Sequence, residues 1–198
     1  MPLLRFNSKR RAVVSVAAVA AVLLAGGLTL AFSSGGGLPA GESYLDGNQA
    51  AIVYKDGYQP LVPAFSGTTL TGAPARSSSY RGKVLVLNFW GSWCSPCQAE
   101  GPTLAALSAK YSADGVAFLG VDLEDTNVNA EAYDQQYGIK YPSISDPGGS
   151  VVQAISRAVL VSDPPTTLVI DQTGHLAGVI RGTADYSVLN SMLSEVAG

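Results

Sequence analysis

Val84-Leu85-Val86-Leu87-Asn88-Phe89-Trp90-Gly91-Ser92-Trp93-Cys94-Ser95-Pro96-Cys97 is the stretch on which the reading of this 198-residue chain turns. Its first seven residues are nearly continuous apolar sequence of strand length, as expected for a strand covered on both faces at the centre of a sheet. Downstream, Leu104, Leu107 and Tyr111 recur at i, i+3 and i+7 ahead of Asp114-Gly115, which predicts a helix and its stop. A Cys-x-x-Cys pair therefore falls where a buried strand gives way to a helix.

Outward from this centre, strand and helix alternate. Val116–Asp122 reads as a second buried strand, Asn127–Tyr137 as a polar helix ended by Gly138, Pro142–Asp146 as a short strand and Val151–Arg157 as a short helix. Thr166–Asp171 and His175–Arg181 flank a Gln172-Thr173-Gly174 turn as a β-hairpin, and Asp185–Val196 closes as a helix with Val188, Leu189, Met192 and Leu193 apolar. Before the centre, Ala50–Tyr54 favours a strand, and the Pro/Gly/Ser-rich Gln59–Arg81 allows only edge strands and turns. The order implies an α/β sandwich with a mixed sheet.

At a helix start, free backbone N–H groups and the helix dipole favour a thiolate, which lowers a cysteine pKa from about 8.5 into a range of about 3.5 to 7.5. Cys94 is thus expected to attack a partner's disulfide and Cys97, one turn later, to resolve the mixed disulfide. A structural disulfide closing so small a loop would stabilise little. A zinc site needs about four ligands, and the chain offers two cysteines and one histidine, His175. The sequence therefore predicts no metal and no bound cofactor.

Composition and charge bound the rest. With 47% hydrophobic residues the chain supports one domain with an N-terminal appendage. Arg5, Lys9, Arg10 and Arg11 hold four of its 12 basic residues, so residues 12–198 carry 8 basic against 15 acidic side chains, about minus 7, and nucleic-acid binding is not expected. Residues 12–32 are uncharged, and as a helix they would be about 30 Å long, the thickness of a bilayer core. The expected organisation is a cytoplasmic basic segment at 1–11, a membrane signal anchor at 12–32, a flexible Ser/Gly-rich tether at 33–49 and the folded domain at 50–198, outside the membrane by the positive-inside rule. A cleaved signal ending near Thr29-Leu30-Ala31 is the alternative, leaving the domain secreted. No cysteine lies near the segment for lipid attachment.

These residues resemble the thioredoxin superfamily, and within it the exported, membrane-tethered TlpA/ResA-like disulfide oxidoreductases. The resemblance spans about Pro63 to Val196. It is carried by Arg81-Gly82-Lys83 leading into VLVLNFWGSWCSPC, by Glu100-Gly101-Pro102, by YPSISDPGG from Tyr141, and by Pro165-Thr166-Thr167-Leu168-Val169-Ile170-Asp171-Gln172-Thr173-Gly174. It implies a thioredoxin-like three-layer sandwich with a strand and helix inserted within Asp122–Arg157. It also implies a cis-proline at Pro165 beside the cysteines, a helix-kinking Pro102, and an acid at Glu100 that tunes the pair. Trp93, Pro164 and Thr166 would line the substrate groove, with Trp90 in the core.

Two positions depart from the pattern. Pro164 has no N–H where relatives commonly offer one to the substrate, and Asn88 stands where classical thioredoxins place a buried proton-relaying acid. Asp122, Glu124 and Asp125 read as solvated loop charges, and His175 as a lone exposed histidine. The implied partners are cysteine-containing exported proteins and a membrane thiol-disulfide donor or acceptor, with cytochrome c maturation as the setting. The alternatives are an oxidative folding catalyst, a thiol peroxidase and a copper-binding module. Against the peroxidase, Phe89–Trp93 lacks the Thr and Pro that precede a peroxidatic cysteine.

Overall fold

The computed structural model describes residues 41–46, 49–54, 57 and 59–198. The basic segment and the expected membrane span at 12–32 lie outside the described residues. Among those described, no helix is long and apolar enough to cross a membrane.

Among the described residues, nine strands form one mixed sheet in the order β1-β2-β9-β8-β5-β6-β7-β3-β4. The strands are β1 (Gly41–Asp46), β2 (Gln49–Tyr54), β3 (Ser66–Thr69), β4 (Pro74–Arg76), β5 (Val84–Trp90), β6 (Val116–Asp122), β7 (Ser143–Ser145), β8 (Thr166–Ile170) and β9 (Leu176–Arg181). The helices are α1 (Ser95–Lys110), α2 (Asn127–Tyr137), α3 (Ser150–Ile155) and α4 (Tyr186–Ala197). β5 pairs parallel with β6 and β6 with β7, whereas β5 pairs antiparallel with β8.

All seven residues of β5 are buried, which accounts for a run that is apolar except at Asn88. The strand's two-residue period sends Leu85, Leu87 and Phe89 into one core layer, with Ile144, Val151 and Ile155. Val84 and Val86 enter the opposite layer with Leu104 and Leu107 of α1 and Leu189 and Leu193 of α4. The result is a three-layer α/β sandwich. α2 and β7 lie between β6 and α3 in sequence, where the inserted strand and helix were expected.

The beginning of the sheet corrects one expectation. The stretch read as tether to residue 49 contains β1, paired antiparallel with β2 from Gly41↔Tyr54 to Asp46↔Gln49. The backbone groups of 41–46 find partners along the outer edge of β2, so sheet pairing starts ahead of Ala50. β2 itself joins the sheet through β9.

A glycine in the middle of a buried strand ordinarily weakens it. Gly120 of β6 is required by packing: a Cβ there would overlap Ser143 Oγ and lie 2.7 Å from Trp90 Nε1. Gly120→Ala is expected to cost about 1–3 kcal/mol as an overpacked core substitution, read as a lower urea midpoint at unchanged slope. A midpoint equal to that of the unsubstituted protein would show that Ser143 and Trp90 move aside freely.

Candidate redox site at the start of α1

β5 delivers the chain to the C-terminal edge of the sheet, where Gly91–Cys94 turns into α1. The Cys94 N–H donates to the Gly91 carbonyl at 3.1 Å, and the Ser92 N–H donates to Asp125 Oδ2 at 2.7 Å. Cys94 is the N-cap of α1 in extended backbone conformation, and its sulfur accepts from the Cys97 N–H at 3.2 Å. Pro96 occupies the first turn, where its missing N–H costs nothing. Cys94 and Cys97 form a disulfide with Cα atoms 5.2 Å apart. Cys97 is fully buried and Cys94 is 5% exposed. α1 continues through Pro102, so that proline lies inside the helix, where it leaves the Gln98 carbonyl without its helical donor.

The peptide bond between Pro164 and Pro165 is cis. Neither residue has an N–H, and the Pro165 carbonyl is already taken by the Gly182 N–H at 2.9 Å. The Thr166 hydroxyl turns inward to the Asp163 carbonyl at 2.9 Å, and Thr166 is buried. Two clefts of about 380 Å³ each meet at Pro164. One runs past Trp93, Glu124 and Val161, the other past Pro96, Thr166 and Arg181. Trp93 is 55% exposed, its indole N–H reaching the Leu123 carbonyl at 3.2 Å, whereas Trp90 is buried. Trp93 and Pro164 thus share the first cleft, while Pro164, Pro165 and Thr166 line the second together with Pro96 of the cysteine motif.

Glu100 faces inward. It is 1% exposed, accepts from Asn88 Nδ2 at 2.8 Å through one oxygen and from the Ala184 N–H at 2.7 Å through the other. Asn88 uses its second amide hydrogen on Thr167 Oγ1 at 3.0 Å. Burial raises the Glu100 pKa from 4.5 to about 7, against the lowering effect of the Ala184 and Asn88 hydrogen bonds. A carboxyl therefore does stand beside position 88, carried there by α1 instead of β5.

The three acids read as loop charges divide. Glu124 is exposed, and Asp125 holds the turn before Cys94. Burial acts upward on Asp125, but hydrogen bonds from Ser92, Thr126 and Asn129 outweigh it and leave its pKa below the usual range. Asp122 is the correction: it is 1% exposed, neither carboxylate oxygen has a partner among the described residues, and burial raises its pKa to about 7 with help from the Asp125 and Asp134 charges. It is the last residue of β6 and is buried with the rest of the strand's C-terminal half. His175 lies in the β8–β9 turn, at the other end of β8 from Pro165, with Nδ1 2.7 Å from Thr173 Oγ1. No cluster able to hold a metal occurs among the described residues.

Sequence reasoning missed Tyr133. It donates to the Cys97 carbonyl at 2.6 Å and stacks on Trp90 with ring centroids 4.2 Å apart. Ala130, Tyr133 and Tyr137, at i, i+3 and i+7 on an otherwise polar helix, were the available signal.

The AhpC/TSA family matches residues 59–179 of the chain, from ahead of β3 into β9. The thiol-disulfide oxidoreductase ResA of Geobacillus thermodenitrificans is 36% identical over 134 residues, 68% of this chain and 75% of the relative. ResA of Bacillus thuringiensis subsp. konkukian is 31% identical over the same shares. Among solved structures, a DsbF homologue from Corynebacterium diphtheriae superposes with a TM-score of 0.69 at 29% identity, covering 77% of this chain and 96% of that one. The fold is thioredoxin-like.

A carboxyl with a folded-state pKa above its unfolded value contributes stability that is complete below the unfolded pKa and is lost as pH rises through the folded one. For Asp122 and Glu100 that window runs from about pH 4 to about pH 7. Urea denaturation should therefore show stability falling from pH 5 to pH 8. Asp122→Asn should flatten the fall, equalling the unsubstituted protein at pH 5 and exceeding it at pH 8. Parallel pH profiles would mean that Asp122 titrates as an ordinary surface acid.

Proposed function

The chain belongs to the AhpC/TSA family, and on that premise we propose that this thiol-disulfide oxidoreductase works outside the cytoplasmic membrane, reducing disulfides of exported proteins. Residues 12–32 would hold it there as a signal anchor, with the domain secreted if that segment is cleaved. Its electrons would come from a membrane thiol-disulfide partner, and its setting would be cytochrome c maturation. The observation that carries the reading is the Cys94–Cys97 disulfide at the start of α1, with Cys94 at the surface end and Cys97 sealed behind it.

In the reduced protein, the Cys94 thiolate receives the Cys97 N–H and the α1 dipole and attacks one sulfur of the substrate disulfide. The substrate's other sulfur leaves as a thiolate. Cys97 then attacks Cys94 Sγ, closing the protein disulfide and releasing the second substrate thiolate. Two electrons pass to the substrate, and the cycle requires no bound cofactor. Glu100, which retains its proton up to about pH 7, serves as the buried acid that exchanges a proton with the pair. Trp93, Pro164 and Pro165 shape the groove in which the substrate's extended chain lies. Thr166 supports that corner through its hydrogen bond to the Asp163 carbonyl.

A thiol peroxidase built on the same pair is the second reading. Two features weigh against it. The resolving partner is one helical turn away in the same motif, and Phe89–Trp93 supplies neither the Thr nor the Pro that precede a peroxidatic cysteine.

Cys94→Ser should reduce insulin-disulfide reduction to background, and Cys97→Ser should accumulate a mixed disulfide with the substrate. Full activity in Cys94→Ser would overturn the reading, and hydroperoxide consumption dependent on Cys94 alone would establish the peroxidase. Pro164→Thr restores the N–H that relatives offer to substrate. A hydrogen bond worth about 0.5–1.5 kcal/mol should lower KM for a peptide disulfide roughly threefold to tenfold with kcat little changed. An unchanged KM would show that docking does not use that donor.

A further inference from the structure

The inserted helix α2 meets the active-site helix α1 at one buried polar contact. The Tyr133 hydroxyl donates to the carbonyl oxygen of Cys97 at 2.6 Å, and its ring is fixed by the stack on Trp90. Gly101 makes the approach possible: a Cβ there would stand 2.9 Å from Tyr137 Cγ and 3.1 Å from Tyr133 Oη. In the helix ladder the Cys97 carbonyl already faces the N–H of residue 101. Tyr133 is a second donor on that oxygen, supplied by an element absent from the basic sheet-and-helix frame.

The electrostatic consequence falls on the resolving cysteine. A carbonyl oxygen presents negative charge to a thiolate on its own residue. A donor on that oxygen offsets part of this charge, and at a fully buried position no water can substitute for it. The same bond fixes the first turn of α1 from behind, opposite the groove.

We propose that Tyr133 is a positioning residue for Cys97, so that the inserted helix sets the speed of the resolving step. The inference rests on the thiol-disulfide exchange reading. In that step the Cys97 thiol gives up its proton and its sulfur attacks Cys94 Sγ in the mixed disulfide. The Cys94–Cys97 bond forms, the bond from Cys94 to the substrate sulfur breaks, and the substrate thiolate leaves and takes up a proton. The substrate sulfur is reduced and the protein dithiol oxidised by two electrons.

Tyr133→Phe tests this because it keeps the ring on Trp90 and removes only the hydroxyl. Tyr137→Phe removes a hydroxyl from the same helix that accepts from Gln136 and makes no bond to α1. Reduced full-length protein is mixed with an aromatic disulfide reagent whose released thiolate is coloured. The first release reports attack by Cys94 and the second reports resolution by Cys97. Tyr133→Phe should slow the second phase about threefold to tenfold, the range of one hydrogen bond, and leave the first phase within about twofold. Its dithiol-disulfide equilibrium with glutathione should move toward the disulfide by a comparable factor, while Tyr137→Phe matches the unsubstituted protein in all three readouts. A normal first phase with an unaltered second phase in Tyr133→Phe would overturn this inference alone. So would equal slowing of both phases in both variants, which marks loosened packing. Absence of any first phase in the unsubstituted protein would overturn the exchange reading together with it.

Discussion

The site depends on a single geometric constraint: a strand buried on both faces ends, and a helix begins, at the same point of the sheet edge. β5 can be apolar at every position but Asn88 only because helices cover one of its faces and the α3 layer the other. Its rigidity fixes where the first unpaired N–H groups of α1 stand. Cys94 Sγ receives one of them from Cys97, the local setting on which the proposed exchange chemistry rests. Pro96 adds no cost in the first turn. The cis Pro164–Pro165 corner closes the other side because β8 lies next to β5, bringing Thr166 opposite Phe89.

Behind the cysteines the packing rules change. A core should contain no unpaired polar group, and Glu100, Asn88 and Thr167 obey by satisfying one another across α1, β5 and β8. Asp122 disobeys, with both oxygens unpartnered among the described residues. Keeping its proton lowers the penalty, which is why both acids are shifted in the same direction by the same cause. Such local departures from core chemistry concentrate at functional sites. Here they lie toward the C-terminal ends of β5 and β6, the start of β8 and the first turns of α1.

Much of this was legible in the sequence, and the limits have physical reasons. Continuous apolar runs and glycine stops gave β5, β6, α1, α2 and the closing hairpin, because burial on two faces imposes composition directly. The cysteine pair was legible because its chemistry depends on local position, one residue before a helix. β1 escaped because an edge strand needs only backbone pairing and leaves little apolar signature. Asp122 escaped because a carboxylate ending a strand looks solvated until the tertiary structure shows it buried. Glu100 could be singled out through family resemblance, but its inward orientation depends on the loop at Ala184, 84 residues away in sequence. Tyr133 was hidden for the same reason, since its partner is a backbone carbonyl on another helix.

The two readings of the site, disulfide exchanger and thiol peroxidase, differ in what surrounds one sulfur. A peroxidatic cysteine needs donors arranged around a peroxide oxygen, and its resolving partner can be distant. A disulfide exchanger needs the second sulfur close enough to displace the first substrate bond before that bond re-forms elsewhere. Here the second sulfur is one helical turn away, fully buried, and held from behind by α2 through Tyr133. Burial keeps Cys97 from meeting solution oxidants or substrates directly, so it can react only with Cys94. In the proposed exchange, the order of events, outer thiol first and inner thiol second, follows from this packing together with the helix-start setting of Cys94.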